Sequence, residues 1–239
     1  MCLKPQKRMR RKSKLVVKVE KNYAKRYANE YHFVRKLFQA FAVYILSLPY
    51  FKLCYNIKKE GLQNIPKGSN YIYAGNHVSM LDPLFVSYAV LRPIVYMAKK
   101  ELFEMPKLGW WIKKLGSFLV DRDKPQISTF KTVREVFKTD WALGIFPQGG
   151  IKENKKIENI ERGFVAIAKS AKVDIIPVSI SGFEGYAKTL FAQNVRIKVG
   201  TPISYELPAE EIILQWSTQI CDATGFENCI LPEKEMSAV

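Results

Sequence analysis

Cysteine and histidine are scarce in this chain, and their spacing excludes several classes of protein. The four cysteines, Cys2, Cys54, Cys221 and Cys229, form no C-x-x-C pair and no metal-ligand pattern with either of the two histidines. This spacing argues against a zinc site and against a disulfide scaffold. We therefore expect reduced thiols, a cytosolic setting and no bound metal. The chain also has no internal repeat and no low-complexity tract, which excludes repeat architectures.

The main apolar run is too short to cross a bilayer comfortably. It extends from Leu37 to Phe51, contains no charged side chain and is bounded by Lys36 and Lys52. About 20 apolar residues are needed to cross the hydrocarbon core, whereas shorter runs indicate interfacial or re-entrant helices. A cleavable signal peptide is not expected, because the run begins late and lacks a small-residue exit.

Acidic residues are few in the opening segment, where positive charge is concentrated. The formal net charge is +16, and residues 1–36 carry 13 Lys or Arg against Glu20 and Glu30, which is +11 of that total. A basic arm of this kind needs an anionic partner, either nucleic acid phosphates or acidic lipid headgroups. Charge alone leaves both classes of partner open.

Aromatic residues around the apolar run favour a lipid surface over nucleic acid. Together with flanking cations they form the mixture typical of the headgroup zone, comprising Phe33, Phe38, Phe41, Tyr44, Tyr50, Phe51 and Tyr55 with Arg35, Lys36, Lys52, Lys58 and Lys59. The partner predicted for the arm is thus a membrane surface with anionic lipids and no nucleic acid. The predicted location is the cytoplasmic face of a membrane, as a peripheral or monotopic protein.

Residues 1–56 are predicted to form a basic arm followed by a two-helix membrane-binding element. The pattern is helical from Tyr23 to about Leu48, Pro49 marks a stop or kink, and a second helix runs from Tyr50 to Lys58. A helix packed on the protein's own core is the alternative. Both interpretations hold if only one face of the helix is buried.

Residues 57–239 alternate short apolar runs with helical patterns. With 48% hydrophobic residues, the chain can bury one sizeable core. Strands are predicted at residues 71–74, 94–98, 118–120, 142–146, 174–179 and 195–199, and helices at 83–91, 129–139, 162–171 and 208–223. The predicted fold is an α/β domain with one mixed, mostly parallel sheet and helices on both faces.

The stretch after the first of these strands contains a candidate catalytic pair. The strand ends at Gly75-Asn76, His77 follows, and Asp82 comes five positions later, directly before Pro83. A neutral imidazole held by a carboxylate is the arrangement that a general base needs, because the carboxylate fixes the tautomer and stabilises the imidazolium. Two plainer interpretations remain open, an ordinary loop histidine and an Asp82 that serves only as N-cap of the helix from Pro83.

Ser79, which lies within this stretch, is not predicted to be a hydrolase nucleophile. No G-x-S-x-G elbow surrounds it, and no second histidine remains downstream to complete a separate triad.

Four short blocks follow one another between about Gly61 and Gly182. They are Asn76-His77-Val78-Ser79-Met80-Leu81-Asp82-Pro83, Gly116-Ser117-Phe118-Leu119-Val120-Asp121-Arg122, Phe146-Pro147-Gln148-Gly149 and Ile176-Pro177-Val178. In this order they resemble the N-H-x-S-x-x-D-P, G-x-x-F-I-D-R, F-P-E-G and V-P-V blocks of the 1-acylglycerol-3-phosphate acyltransferase family. Four blocks in order at sensible spacing make chance similarity a poor explanation.

The resemblance implies a fold, a reaction and roles for several residues. It implies a glycerolphosphate acyltransferase-like fold and transfer of an acyl group from acyl-CoA or acyl carrier protein to the 2-hydroxyl of a lysophospholipid acceptor, 1-acyl-sn-glycerol 3-phosphate. His77 would take the proton of that hydroxyl and Asp82 would orient His77. Asn76 and Ser79 would help bind substrate. No cofactor is implied beyond the thioester co-substrate.

Cations that follow predicted strands are candidates to bind the acceptor's phosphate. Arg122 is the first candidate, because open α/β sheets place ligand contacts at strand ends and a guanidinium can hold two phosphate oxygens. A surface ion pair with Asp121 or Asp123 is the alternative. Lys100 also follows a strand and lies in an A-K-x-E-L stretch similar to one in the family, with a solvated charge as the alternative.

The third block departs from the family's F-P-E-G-T-R pattern. Gln148 replaces the glutamate, Gly150 the threonine and Ile151 the arginine, and Lys152 could substitute for that arginine only as a flexible point charge. The main-chain N–H groups of the Gln148-Gly149 turn are predicted to stabilise the oxyanion. Another lysophospholipid or hydroxyl acceptor therefore remains an alternative, as does a non-catalytic protein that binds membranes or lysolipids.

Overall fold

The structure, a computed structural model, describes residues 24–68, 70–120, 127–152, 154–183 and 193–230. The basic arm before Ala24 and the side chain of Arg122 lie outside these ranges, so the predictions made for them stay predictions.

Seven of the described strands form one sheet, and two short ones form a second. The large sheet has the order β1-β8-β7-β2-β5-β3-β4, with β1 Tyr55–Glu60, β2 Ile72–Gly75, β3 Ile94–Lys99, β4 Phe118–Val120, β5 Ala142–Ile145, β7 Ile175–Ser181 and β8 Gln193–Val199. The small sheet pairs β6 (Lys156–Ile157) with β9 (Glu227–Asn228). Strands β7, β2, β5, β3 and β4 run parallel, and β8 is antiparallel to β7. The predicted mixed, mostly parallel sheet is confirmed.

Eight α-helices occur in the described residues. They are α1 Phe33–Ala40, α2 Leu48–Cys54, α3 Asp82–Val90, α4 Lys100–Glu104, α5 Pro106–Lys114, α6 Ile127–Phe137, α7 Gly163–Ala171 and α8 Ala209–Thr224. A π-helical segment, Phe41–Ser47, joins α1 to α2. Short 3₁₀ turns lie at Ala28–Glu30 and Leu62–Asn64.

Burial on both faces of the sheet determines how the central strands are placed. Along β2, Ile72 and Ala74 belong to one buried cluster, whereas Tyr73 belongs to the cluster on the opposite face. Burying an aliphatic or aromatic side chain contributes about 1.5–3 kcal/mol, more than the roughly 1 kcal/mol net of one hydrogen bond. A one-residue slip would exchange the faces of every side chain, so this burial specifies the register. From α8, Trp216 donates its indole N–H to the Ala74 carbonyl at 2.9 Å, next to the end of β2.

The N-terminal helix differs from the two helices that the sequence predicts. One helical rod runs from Phe33 to Cys54, and among the described helices it is the one long and apolar enough to meet the length and composition of a membrane span. Pro49 does not break it, because this residue lies in the first turn of α2, where its missing N–H is tolerated. The preceding turn is π-helical, which is where the rod departs from α-geometry.

The second predicted helix, from Tyr50 to Lys58, is wrong in its last part. Residues Tyr55 to Glu60 form strand β1, which pairs in parallel with β8 at the edge of the sheet. Its lysines are compatible with this position, since edge strands commonly carry charged side chains. The predicted boundary at residue 56 lies inside β1.

Gln39 joins the N-terminal helical rod to strand β3 through two hydrogen bonds of its side chain. Its side chain is 6% exposed, its Nε2 donates to the Ile94 carbonyl at 2.7 Å, and its Oε1 accepts the Ile94 N–H at 2.9 Å. Nearby, Tyr31 donates its hydroxyl to the Gly116 carbonyl, and Arg26 donates to the Ser117 carbonyl. One face of the rod is therefore packed on the domain, while the other remains exposed.

Candidate active site

The candidate site lies at the edge of the sheet where the parallel strands end. His77 follows β2, the turn from Phe146 to Gly150 follows β5, and Lys100 follows β3. Parallel strands end at a common edge, and ligands of open α/β sheets bind there. The sheet therefore brings together segments that are distant from one another in sequence.

The chain turns out of β2 at Gly75 and Asn76. A Cβ on Gly75 would lie 3.2 Å from both Phe146 Cε1 and the Val178 carbonyl oxygen, so a larger residue would push these neighbours away. The Asn76 side chain is fully buried, donates Nδ2 to the Ile180 carbonyl at 2.9 Å and accepts the Ile180 N–H at 2.8 Å. These contacts join the end of β2 to β7 and place His77 just beyond the edge.

Asp82 folds back onto this turn and holds the imidazole. Its Oδ2 lies 2.8 Å from His77 Nδ1 and accepts the main-chain N–H groups of Val78 and Ser79 at 2.7 and 2.8 Å. The side chain is fully buried, and Oδ1 accepts no hydrogen bond within the described residues. Burial raises the pKa of the Asp82 carboxyl above its ordinary value, and its three hydrogen bonds act in the opposite direction. This geometry favours the tautomer with the proton on Nδ1, leaving the Nε2 lone pair for chemistry.

The interpretation of Asp82 as an N-cap is wrong. Asp82 is the first residue of α3, the N-cap position is Leu81, and no side chain there makes a capping hydrogen bond. An N-cap side chain accepts N–H groups of its own helix, whereas Asp82 accepts N–H groups that precede it. The turn that makes this possible is stabilised by Ser79, whose Oγ accepts the Leu81 N–H at 3.1 Å.

Aromatic rings fix the plane of the imidazole. The His77 ring stacks on Phe146 with centroids 4.2 Å apart and an angle of 18°, and Phe146 stacks in turn on Tyr96. The His77 side chain is 15% exposed, so the imidazole is largely buried but still accessible from solvent. Neither Phe146 nor Tyr96 was predicted as a site residue, although Phe146 opens the third block.

The segment from Gln148 to Lys152 holds the main chain of His77 on both sides. Gln148 Oε1 accepts the His77 N–H at 3.2 Å, and the Lys152 N–H donates to the His77 carbonyl at 2.8 Å. Gly149, at φ +71°, donates its own N–H to the Phe146 carbonyl and so closes the turn. This corrects the expectation that the Gly149 N–H is aimed at an oxyanion. Within the described residues the Gln148 N–H makes no hydrogen bond.

The structure thus gathers most of the predicted site residues around one turn. His77, Asp82, Asn76, Ser79, Gln148, Gly149 and Lys152 are all in or beside it, Lys100 begins α4 at the same edge, and Arg122 lies outside the described residues. The contacts of Asn76 and Ser79 support the loop. The substrate-binding roles stay predictions. Among the described residues, no group of three or more His, Cys, Asp or Glu side chains is placed to hold a metal ion.

The structure is thus an α/β protein in which a buried carboxylate holds a histidine at the ends of the parallel strands. Comparison with known proteins specifies the family: residues 56–181 match the family model described as Acyltransferase, which is more than half of the chain. The chain therefore belongs to the Acyltransferase family.

Individual relatives are similar over the same region. The chain is 33% identical to the 1-acyl-sn-glycerol-3-phosphate acyltransferase of Streptococcus pneumoniae, covering 62% of this chain and 56% of that protein. It is 31% identical to the 1-acyl-sn-glycerol-3-phosphate acyltransferase of Bacillus subtilis, covering 65% and 79%. The crystal structure of the 1-acyl-sn-glycerophosphate acyltransferase of Thermotoga maritima shares the fold, with a TM-score of 0.61, 21% identity and coverage of 79% and 81%. The match spans little more than half of the streptococcal relative.

Asp82→Asn tests whether the carboxylate serves the base. The amide keeps the shape but removes the charge and favours the wrong imidazole tautomer, so we expect kcat for acyl transfer to fall roughly 10³–10⁴-fold, as in histidine–aspartate pairs of hydrolases. The measurement is release of thiol from an acyl thioester. Asp174→Asn is the matched control, because Asp174 accepts the Tyr205 N–H just before β7, at the opposite edge of the sheet. An Asp82→Asn enzyme within tenfold of wild type would contradict the assignment.

Proposed function

We propose that the protein transfers an acyl group from a thioester to the 2-hydroxyl of 1-acyl-sn-glycerol 3-phosphate, forming phosphatidic acid. The observation that carries this proposal is the 2.8 Å contact between His77 Nδ1 and Asp82 Oδ2 within the N-H-x-S-x-x-D-P block. The names of the bacterial relatives support the choice of acceptor.

The proposed reaction uses His77 twice. Its Nε2 takes the proton of the acceptor hydroxyl as that oxygen attacks the thioester carbonyl. The tetrahedral intermediate then collapses, the C–S bond breaks, and the departing sulfur takes the proton back from the imidazolium. Asp82 stays ionised throughout and stabilises the imidazolium, so the pair returns to its starting state.

The oxyanion of this intermediate needs a donor near His77. The Gln148 N–H is the proposed donor, because it belongs to the turn that holds the base and has no partner within the described residues. Removing one such donor from an acyl-transfer site typically lowers kcat by about 10²–10³-fold.

The acceptor is proposed to lie beside the His77 turn, with its phosphate toward the cations of this edge. A cavity of about 230 Å³ adjoins the turn and is lined by Val78, Lys155 and Phe183 among other residues. Lys152, whose N–H donates to the His77 carbonyl, and Lys100, which follows β3, lie at the same ends of the strands. Arg122 remains the proposed phosphate ligand. The donor is proposed to be acyl-CoA or acyl carrier protein.

The exposed face of the N-terminal rod is proposed to lie in a membrane interface. Large apolar side chains recur there at helical spacing, and those more than 45% exposed are Phe33, Val34, Leu37, Phe41, Ile45, Leu46 and Leu53. Phe38 of the rod contacts Trp110 of α5, and Trp110 is 49% exposed. A lipid surface would cover these side chains, and the basic arm would contact anionic headgroups. The acceptor and the product would then stay within that surface, which we propose is the cytoplasmic one.

An acceptor panel tests the proposed substrate. With a labelled acyl-CoA, we expect the highest kcat/KM with lysophosphatidic acid, and lower values with lysophosphatidylcholine, lysophosphatidylglycerol and glycerol 3-phosphate. Arg122→Ala should raise KM for lysophosphatidic acid at least tenfold, which corresponds to about 1.4 kcal/mol for a charge-assisted contact. Arg134→Ala is the matched control, because this exposed arginine on α6 donates a hydrogen bond to Ser170 and has no assigned role in the site.

Two results would contradict this assignment. A preference for a zwitterionic lysolipid would show that the altered Gln148-Gly149-Gly150-Ile151 turn accommodates a different acceptor. An unchanged KM in Arg122→Ala would remove Arg122 from the phosphate site.

Vesicle flotation tests the proposed membrane face. We expect the double variant Phe41→Glu/Ile45→Glu to bind vesicles of phosphatidylglycerol and phosphatidylcholine at least tenfold more weakly than wild type, because two partly exposed apolar side chains no longer enter the interface. Leu214→Glu, at a 37% exposed position on α8, is the control and should bind like wild type. Equal binding of all three proteins would contradict the assignment of this face.

A further inference from the structure

Gln148 occupies the position of the glutamate in the family's F-P-E-G block. The oxygen and the nitrogen of its side-chain amide both form hydrogen bonds with main-chain atoms. Gln148 is 5% exposed. Its Oε1 accepts the His77 N–H at 3.2 Å, and its Nε2 donates to the Lys156 carbonyl at 3.1 Å. One partner is only a donor and the other only an acceptor, so the orientation of the amide is determined by its surroundings.

A carboxylate at this position would not satisfy both partners. It would accept the His77 N–H but would place its second oxygen against the Lys156 carbonyl oxygen, with no proton between them. It would also add a second negative charge beside the His77–Asp82 pair. Nearby negative charge favours the imidazolium over the neutral imidazole that a general base requires.

Two other buried amides in the described residues make this kind of double contact with a main-chain N–H and a main-chain carbonyl, each time joining two parts of the fold. Gln39 makes it with the N–H and carbonyl of Ile94, and Asn76 makes it with those of Ile180. All three amides are buried. Gln148 differs because its first partner is the main chain of the base itself. The Lys152 N–H donates to the His77 carbonyl at 2.8 Å, so the segment from Gln148 to Lys152 contacts the main chain of His77 on both sides.

We propose that the side chain of Gln148 positions His77 and does not bind substrate, and that its neutral amide is required for this role. The amide holds the His77 main chain against the third block and leaves Asp82 as the carboxylate that contacts the imidazole. This role rests on the proposed function only in that His77 is the base. Glutamine in place of the family's glutamate would then serve to position His77, whichever lysolipid is the acceptor.

Two variants of Gln148 separate positioning from substrate binding. Gln148→Met keeps the length but removes both hydrogen bonds, and we expect kcat to fall at least tenfold while KM for the acceptor and for acyl-CoA stays within twofold. Gln148→Glu should also lower kcat and, in addition, move the rising limb of the kcat/KM pH profile to higher pH. Gln219→Met is the matched control, since it removes a double contact with the N–H and carbonyl of Thr201 and this residue has no assigned role in the site; its kcat and pH profile should match wild type.

A readout without turnover keeps this test separate from the proposed function. The chain has two histidines, so ¹⁵N-histidine labelling gives two main-chain amide signals. We expect hydrogen exchange of the His77 amide to accelerate at least tenfold in Gln148→Met and to stay unchanged in Gln219→Met. If Gln148→Met does not fold, the test is the pKa of the His77 imidazole in Gln148→Glu. We expect this pKa to lie above that of wild type, whereas the exposed His32 should be unaffected.

The outcomes that overturn the proposal are distinct from a failure of the proposed function. An unchanged kcat with a raised acceptor KM would make Gln148 a substrate ligand. Unchanged His77 amide exchange in Gln148→Met, or an unmoved His77 imidazole pKa in Gln148→Glu, would show that the contact does not position the base. A protein that acylates no lysolipid, yet shows the exchange and pKa changes, would retain the positioning role and lose only the proposed acceptor.

Discussion

The site depends on one buried oxygen, Oδ2 of Asp82, which binds the imidazole of His77 and two main-chain N–H groups. A buried carboxylate loses its hydration, at a cost of several kcal/mol, and charge-assisted hydrogen bonds of roughly 1.5–3 kcal/mol each offset that cost. The three donors come from a single turn between β2 and α3. Charge, loop geometry and the direction of the imidazole are thus determined together, and a change to any one of them disturbs the others.

The rest of the fold places this turn. Parallel strands bring the ends of β2, β5 and β7 to one edge, and buried amides connect the segments that leave them. The Asn76 side chain joins the turn to β7, and the Gln148 side chain, which accepts the His77 N–H, joins it to the segment after β5. The rod from Phe33 to Cys54 is fastened to the same sheet through Gln39, so its exposed apolar face is presented by the body that carries the site. In the proposed function, a lipid acceptor in the membrane would therefore reach a base that is held at a fixed position relative to the membrane-binding face.

Much of this arrangement could be predicted because its signals are local. The central strands are short apolar runs whose two faces are both buried, and such runs are recognisable in the sequence. His77 and Asp82 are five positions apart and belong to one block, so their contact required no knowledge of distant segments. Their pairing was expected from the chemistry of a general base, and the geometry supplies that contact.

Other features depend on distant partners and could not be predicted from local patterns. Strand β1 is polar and rich in lysine, and it is a strand because it pairs with β8, which lies near the other end of the chain. The N–H that Gln148 accepts belongs to His77, which is 71 positions away, so no local pattern predicted this contact. The Gly149 N–H was expected to face a ligand, and it closes the turn instead. Residues 100–114 were not predicted to be helical, yet they form α4 and α5, with Gly109, a residue that disfavours helix interiors, inside α5.

The central claim is that Asp82 holds the neutral imidazole of His77 with its proton on Nδ1, which leaves Nε2 free to take a proton. Long-range ¹⁵N–¹H correlation spectra of the two histidine rings, recorded above the imidazole pKa, report this tautomer directly. The account predicts the Nδ1–H tautomer for His77, with exposed His32 as the internal reference for an unconstrained ring. A His77 ring that carries its proton on Nε2 would contradict the account, because Asp82 would then lack its third donor and Nε2 could not act as the base.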